Sequence, residues 1–204
     1  MSIWLTSDTH LDHAFVARTR GFDTPEEHDA HIVREWNRRV KPRDTVWVLG
    51  DFGMGTINRF YDTAKQLNGT KHLVTGNHDQ CAPGFKQPNR EVGDVWLSVF
   101  DSIQQYGVLG YKGSRFLLSH YPYEDVHLAK PVEGQTREHE RDRHLQWRLR
   151  DLGVTLLHGH THSTEKVSYS PAGTLQLHVG WDTWGKPVPL STFYALSEKH
   201  RYPA

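Results

Sequence analysis

The sequence predicts one mixed α/β domain over residues 1–204, with strands that start out parallel and finish antiparallel. Three observations carry this prediction. Short apolar runs rich in Val, Leu, Ile and Trp recur along the chain and stop at Gly, Asp, Asn or Ser, the signature of buried strands. Segments with helical spacing separate the first three runs. From residue 92 onward β-branched and aromatic residues become more frequent, as antiparallel strands require. A chain of 204 residues is long enough to bury a sizeable core.

The first strand covers Ile3 to Thr6 and enters a loop bearing Asp8, His10, Asp12 and His13. Thr24, Pro25, Glu26 and Glu27 then open a helix, with Thr as N-cap, Pro at the first helical position and acids in the first turn. Ile32, Val33, Trp36 and Val40 give it an apolar stripe, and it stops before Pro42. The second strand runs from Thr45 to Leu49. A second helix covers Thr56 to Leu67, halted by Asn68 and Gly69. The third strand follows, His72 to Thr75. Val92 to Tyr106 and Tyr111 to Ser119 read as antiparallel strands, residues 121–134 as a loop, and Glu138 to Leu152 as a charged helix with Leu145, Leu149 and Leu152 on one face. A fifth strand spans Val154 to Leu157. The tail reads as a meander: Lys166 to Ser170, a turn at Pro171, Ala172 and Gly173, Thr174 to Val179, then Ser191 to Leu196.

Twenty-four basic residues balance twenty-four acidic ones, so the chain has no global basic footprint and nucleic acid is not a favoured partner. The single cysteine, Cys81, rules out an internal disulfide and suits a reducing compartment. The opening residues form no signal peptide and no segment has the apolar length of a membrane span, so a cytoplasmic location is the expectation. Fifteen histidines stand out. His28, His31, His139, His144 and His200 lie in polar stretches and read as surface residues.

Five motifs place metal-type ligands directly after apolar runs: Asp8-Thr9-His10, Gly50-Asp51, Gly76-Asn77-His78-Asp79, Ser119-His120 and Gly159-His160-Thr161-His162. Singly each is ordinary, since Gly and Asn favour turns and Asp or Thr caps helices. Jointly and in this order they point to one site at strand ends, where open α/β sheets build their sites. Hard oxygen and imidazole donors without a thiolate suit Mn, Fe, Zn, Ni or Co ions and disfavour a structural zinc knot.

This set resembles the calcineurin-like metallophosphoesterase superfamily, and the short chain is similar to its small bacterial and phage-borne members. The resemblance implies two mixed β-sheets packed as a sandwich flanked by helices. It implies two divalent metal ions, manganese foremost: Asp8, His10 and His162 on the first, Asn77, His120 and His160 on the second, and Asp51 bridging. Two metals about 3.5–4 Å apart clamp both oxygens of an in-line displacement at phosphorus, with a bridging hydroxide as nucleophile. His78 is then the general acid, and Asp79 holds its imidazole in the useful tautomer. The alternative for Asp79 is a turn residue capping a local amide.

The activity implied is a phosphodiesterase on small diesters such as 2′,3′- or 3′,5′-cyclic nucleotides. A phosphomonoesterase or nuclease is the alternative, and a non-catalytic scaffold fits least because every ligand is present. Outside the motifs, Asp12 and His13 read as a solvated loop, Arg18 and Arg20 as surface charges, and His158 as buried within a strand. Tyr121, Tyr123, His127 and Lys130 border the site, and Trp181 and Trp184 are a rim or the end of the core.

Overall fold

The computed structural model describes residues 1–83, 90–123 and 144–201. Its elements run β1 (Ile3–Thr6), α1 (Ala14–Thr19), α2 (Pro25–Asn37), β2 (Thr45–Val48), α3 (Ile57–Lys65), β3 (Thr70–Val74), α4 (Arg90–Val99), β4 (Ser102–Gln104), β5 (Tyr106–Tyr111) and β6 (Ser114–Ser119). A 3₁₀ turn (Leu145–Trp147), β7 (Leu156–His158), β8 (Val167–Tyr169), β9 (Leu175–His178), α5 (Trp181–Trp184), β10 (Val188–Pro189) and α6 (Leu190–Arg201) complete them.

The strands form two mixed five-stranded sheets, in the orders β10-β1-β2-β3-β4 and β5-β6-β7-β9-β8. In the first, β1 to β4 are parallel and β10 adds antiparallel to β1. In the second, β6-β7-β9 are parallel and both edge strands are antiparallel. Alternation along the strands gives each sheet two faces. Val46 and Val48 of β2 and Leu73 of β3 pack with Ile32, Trp36, Phe60 and Trp96 of α2, α3 and α4. Leu5 and Val74 face the other way, joining Phe116, Leu118, Leu157 and Leu177 of the second sheet, with Leu190 and Phe193 of α6. The two mixed sheets flanked by helices match the expected architecture.

The caps expected of α2 are present: Thr24 accepts from the Glu27 amide at 3.2 Å, and Pro25 opens the helix. Two expected strands are helices instead. Val92 to Val99 lies in α4, whose Val92, Trp96 and Val99 recur at helical spacing; Trp96, Val99 and the following Phe100 are buried, with Trp96 and Phe100 stacked. Ser191 to Leu196 lies in α6, which buries Leu190, Phe193 and Ser197 at every third or fourth residue. Burial on a 3.6-residue period overrides strand propensity in both. The start of the charged helix expected from Glu138 lies outside the described residues. From His144 on there is only the 3₁₀ turn, and Leu152 is exposed. Among the described residues no helix is long and apolar enough to cross a membrane.

Candidate metal centre

The loops leaving β1, β2, β3, β6 and β7 converge at the carboxyl ends of both sheets. Those after β1 and β2 run side by side, with Asp8, His10 and Leu11 amides donating to the carbonyls of Gly50, Asp51 and Phe52 at 2.9–3.0 Å. Ser7 bridges to Gly180, two residues beyond β9. Asp8, His10, Asp51, His160 and His162 all have positive φ, from 49° to 70°. A left-handed backbone is unfavourable for such residues and persists only where the surroundings enforce it, most often at functional sites.

Asp8, His10 and His162 form a first group and Asp51, His120 and His160 a second, the ligand-type atoms of each lying within 4.8 Å of one another. In the first, His10 Nε2 and His162 Nε2 are 3.1 Å apart. The Asp8 carboxylate accepts from the His160 amide at 3.1 Å and from Ser7 Oγ at 2.5 Å. In the second, His120 Nε2 lies 3.2 Å from His160 Nδ1 and 3.1 Å from Asn77 Oδ1. Asp51 Oδ2 sits between the groups, 3.8 Å from His10 Nε2 and 3.5 Å from His120 Nε2.

The donor set fits two cations. His120 Nδ1 is 2.8 Å from the Leu49 carbonyl, which it engages through N–H, leaving the Nε2 lone pair aimed at the group. His162 does the same through Nδ1 and Asp182. Nitrogen donors about 2.0–2.1 Å from one ion are about 3 Å apart when adjacent. The observed 3.1 and 3.2 Å match that spacing. Burial pushes His10, His120 and His160 well below the usual imidazole range, His120 to about 4, so their lone pairs are free at neutral pH. Burial also pushes the Asp8 and Asp51 carboxyls up. The Asp182 hydrogen bond instead raises His162, and a dication compensates the buried carboxylates of such a pocket.

His78 follows Asn77, and its amide donates to Asp51 Oδ1 at 2.9 Å. Its half-buried ring lies edge-on to His10, centroids 5.4 Å apart, with Nε2 4.0 Å from Asp51 Oδ2. The expectation that Asp79 orients this ring is corrected. Both Asp79 oxygens accept from main-chain amides, those of Asp51 at 3.0 Å, Phe52 at 2.9 Å and Gly76 at 2.8 Å. Asp79 is therefore the amide-capping residue that ties the β2 and β3 loops together. Burial and the neighbouring Asp51 push its carboxyl up, against the pull of the three amides. Gly76 permits this approach, because a Cβ there would lie 2.6 Å from the Asp51 nitrogen.

Several supporting residues were not visible in the sequence. Arg20, expected as a surface charge, is folded inward. It grips Asp182 through Nε and Nη2, both at 2.8 Å, and donates to the carbonyls of Asp8 at 2.7 Å and Thr9 at 3.0 Å. Asp182 Oδ2 accepts from His162 Nδ1 at 2.7 Å. Burial raises the Asp182 carboxyl, but hydrogen bonds from Arg20 and His162 outweigh it and hold the group far below the usual range. His28, also expected at the surface, is fully buried beside Arg20 and Asp29. The one sequence signal for Asp182 was its place in Gly180-Trp181-Asp182, an ending similar to that of the small bacterial and phage-borne family members.

Tyr121 borders the site as expected, its ring 4.8 Å from those of His120 and His160, and both it and Tyr123 are buried; Tyr123 donates to the Val154 carbonyl at 2.6 Å. His127 and Lys130, like His139, lie outside the described residues. His144 stacks on Tyr121 and meets His160 edge-on at 5.5 Å. Asp12 is held by Arg59 and Arg18 is exposed. His158 is buried as expected and pairs edge-on with His178. Trp181 ends in the helix-facing core.

Residues 1–187 match the family model of the calcineurin-like phosphoesterase superfamily domain. The Gene 66 protein of Mycobacterium phage L5 is 36% identical over 95% of this chain and 92% of its own. That of Mycobacterium phage D29 is 36% identical over 93% of this chain and 92% of its own. The crystal structure of AQ665, a protein of unknown function from Aquifex aeolicus, is similar at a TM-score of 0.60 and 25% identity, covering 96% of this chain and 98% of that one.

Proposed function

Since the chain belongs to the calcineurin-like phosphoesterase superfamily, we propose that it is a two-metal phosphodiesterase acting on small diesters such as 2′,3′- or 3′,5′-cyclic nucleotides. The observation that carries this reading is the position of Asp51 Oδ2 between the two donor groups, with His78 Nε2 4.0 Å away on the open side. Asp8, His10 and His162 would hold one ion, Asn77, His120 and His160 the other, and Asp51 both. Two such ions supply activated water and neutralise phosphate charge. Mixed nitrogen and oxygen donors suit manganese, with iron, zinc, nickel or cobalt as alternatives set by availability.

The chain's own residues divide the remaining work. The backbone amide of His78 is anchored to Asp51, which places its imidazole beside the donor groups, where it would donate a proton to the leaving oxygen. Burial, and then the neighbouring His162, hold the His78 imidazole below its usual range. Asp79, through its three amides, keeps the Asp51 and Asn77 loops in register.

The test is hydrolysis of a chromogenic phosphodiester and the matching monoester, side by side, with Mn²⁺ and with chelator. Metal-dependent turnover of the diester well above the monoester supports the proposal. Preference for the monoester makes the protein a phosphomonoesterase, and no turnover of either with both ions bound refutes general phosphoesterase activity on open substrates.

A further inference from the structure

The rim of the site on the His10 side carries an aromatic ring with no packing duty. Phe15, the second residue of α1, is 66% exposed, and no other phenylalanine among the described residues is exposed. Exposed apolar side chains are common singly and prove nothing alone. The placement of Phe15 is what matters. Its ring lies 6.5 Å from that of His13, which lies 5.4 Å from His10 and 6.5 Å from His78. His13 is pinned as the N-cap of α1, its Nδ1 accepting the Val16 amide at 3.4 Å. Phe15 thus stands one imidazole beyond the metal ligand and the general acid, on a turn fixed by a cap.

Among the described residues, the other aromatics near the site offer no comparable face. Tyr121 is buried, covered by His144 and Arg148. Trp184 has Lys166 over its ring and Phe193 against its edge.

We infer that Phe15 is a specificity-determining residue that stacks on a planar aromatic group of the substrate, a nucleobase or aryl arm, while the phosphate sits at the metal centre. This rests on the phosphodiesterase reading and narrows its substrates to diesters bearing such a ring. A base stacked on an aromatic side chain contributes about 1–3 kcal/mol, so removing the ring weakens binding roughly fivefold or more.

The experiment compares adenosine 2′,3′-cyclic phosphate with glycerol 1,2-cyclic phosphate, which presents the same ring phosphate without a base. Phe15→Ala should raise KM for the adenosine substrate about tenfold, leave its kcat within about twofold, and leave the glycerol substrate unchanged. Phe15→Trp should restore the low KM. An unchanged adenosine KM in Phe15→Ala, or equal losses on both substrates, overturns the inference. Calorimetry on the Mn²⁺-loaded protein gives a readout independent of turnover. Adenosine 2′-monophosphate should bind Phe15→Ala about tenfold more weakly than the parent, with orthophosphate unaffected. Failure of the nucleotide to bind the parent more tightly than orthophosphate also overturns it. If neither substrate turns over, the phosphodiesterase reading falls while the calorimetric comparison still decides the role of Phe15.

Discussion

Asp182 and His162 stand twenty residues apart in the chain and meet through a 2.7 Å hydrogen bond that turns the far nitrogen of the imidazole toward His10. Arg20 holds the same carboxylate from the other side through two 2.8 Å bonds. Removing the carboxylate behind a metal-binding histidine typically costs 10- to 100-fold in affinity. Asp182→Ala should therefore weaken one of two Mn²⁺ sites by about that factor and spare the other. Titration of metal-free protein, followed by calorimetry, reads both sites, and two unchanged affinities would show that Asp182 does not position His162.

Among the described residues, Asp51 is the carboxylate that approaches histidines of both groups. Asp51→Asn should lower occupancy at both, measured as moles of metal per mole of purified protein. Full two-metal loading of that variant would exclude a shared role.

His78→Ala should keep its metals and lose roughly 10²- to 10⁴-fold in kcat on a diester with a poor leaving group. The loss should shrink with p-nitrophenolate as leaving group, which needs little protonation. Equal activity in variant and parent on both substrates would refute the general-acid assignment.

Gly159 lets the β7 loop lie against Asp8. A Cβ there would overlap the side chains of Ser7 and Asp8. Gly159→Ala should cost about 1–3 kcal/mol of stability, as overpacked cores do. It should also displace Asp8 from the first group. Chemical denaturation measures the first effect and metal stoichiometry the second; an unaltered denaturation midpoint would contradict the packing seen here.

His158 and His178, outside both donor groups, are pushed down by burial to about 3 and about 4. A folded-state value below the unfolded one near 6.5 means the unfolded chain binds more protons between the two. Their contribution to stability is then full above about pH 6.5 and is lost as the pH falls toward 4. His178→Gln should flatten the dependence of the denaturation midpoint on pH across that window relative to the parent. Parallel curves for the two proteins would count against the burial argument.

What the sequence discloses here is local. The strand, turn and ligand of each motif are neighbours in the chain, so β1, β2 and β3 and their loops could be read directly. The cap of α2 was legible for the same reason. Val92, Trp96 and Phe100 misled because their side chains favour strands while their spacing is helical, and only packing against α3 settles which wins. Ser191 to Leu196 misled in the same way. Arg20 looked like a surface charge because its partner Asp182 lies 162 residues on. Asp79 was ambiguous because either role suits an aspartate at a turn; three amides converging from two loops decide it.

Each donor group draws on both sheets: Asp8, His10 and Asp51 come from loops of the first, His120, His160 and His162 from loops of the second. Cations bound there would rivet the sandwich at one end, and the ligand field would double as a tertiary contact. A ligand bound only by the folded state stabilises it by about 2.7 kcal/mol at a hundred times its dissociation constant. Melting temperature should accordingly climb with free Mn²⁺ and drop in chelator, so a simple thermal scan becomes an occupancy meter for a catalytic site.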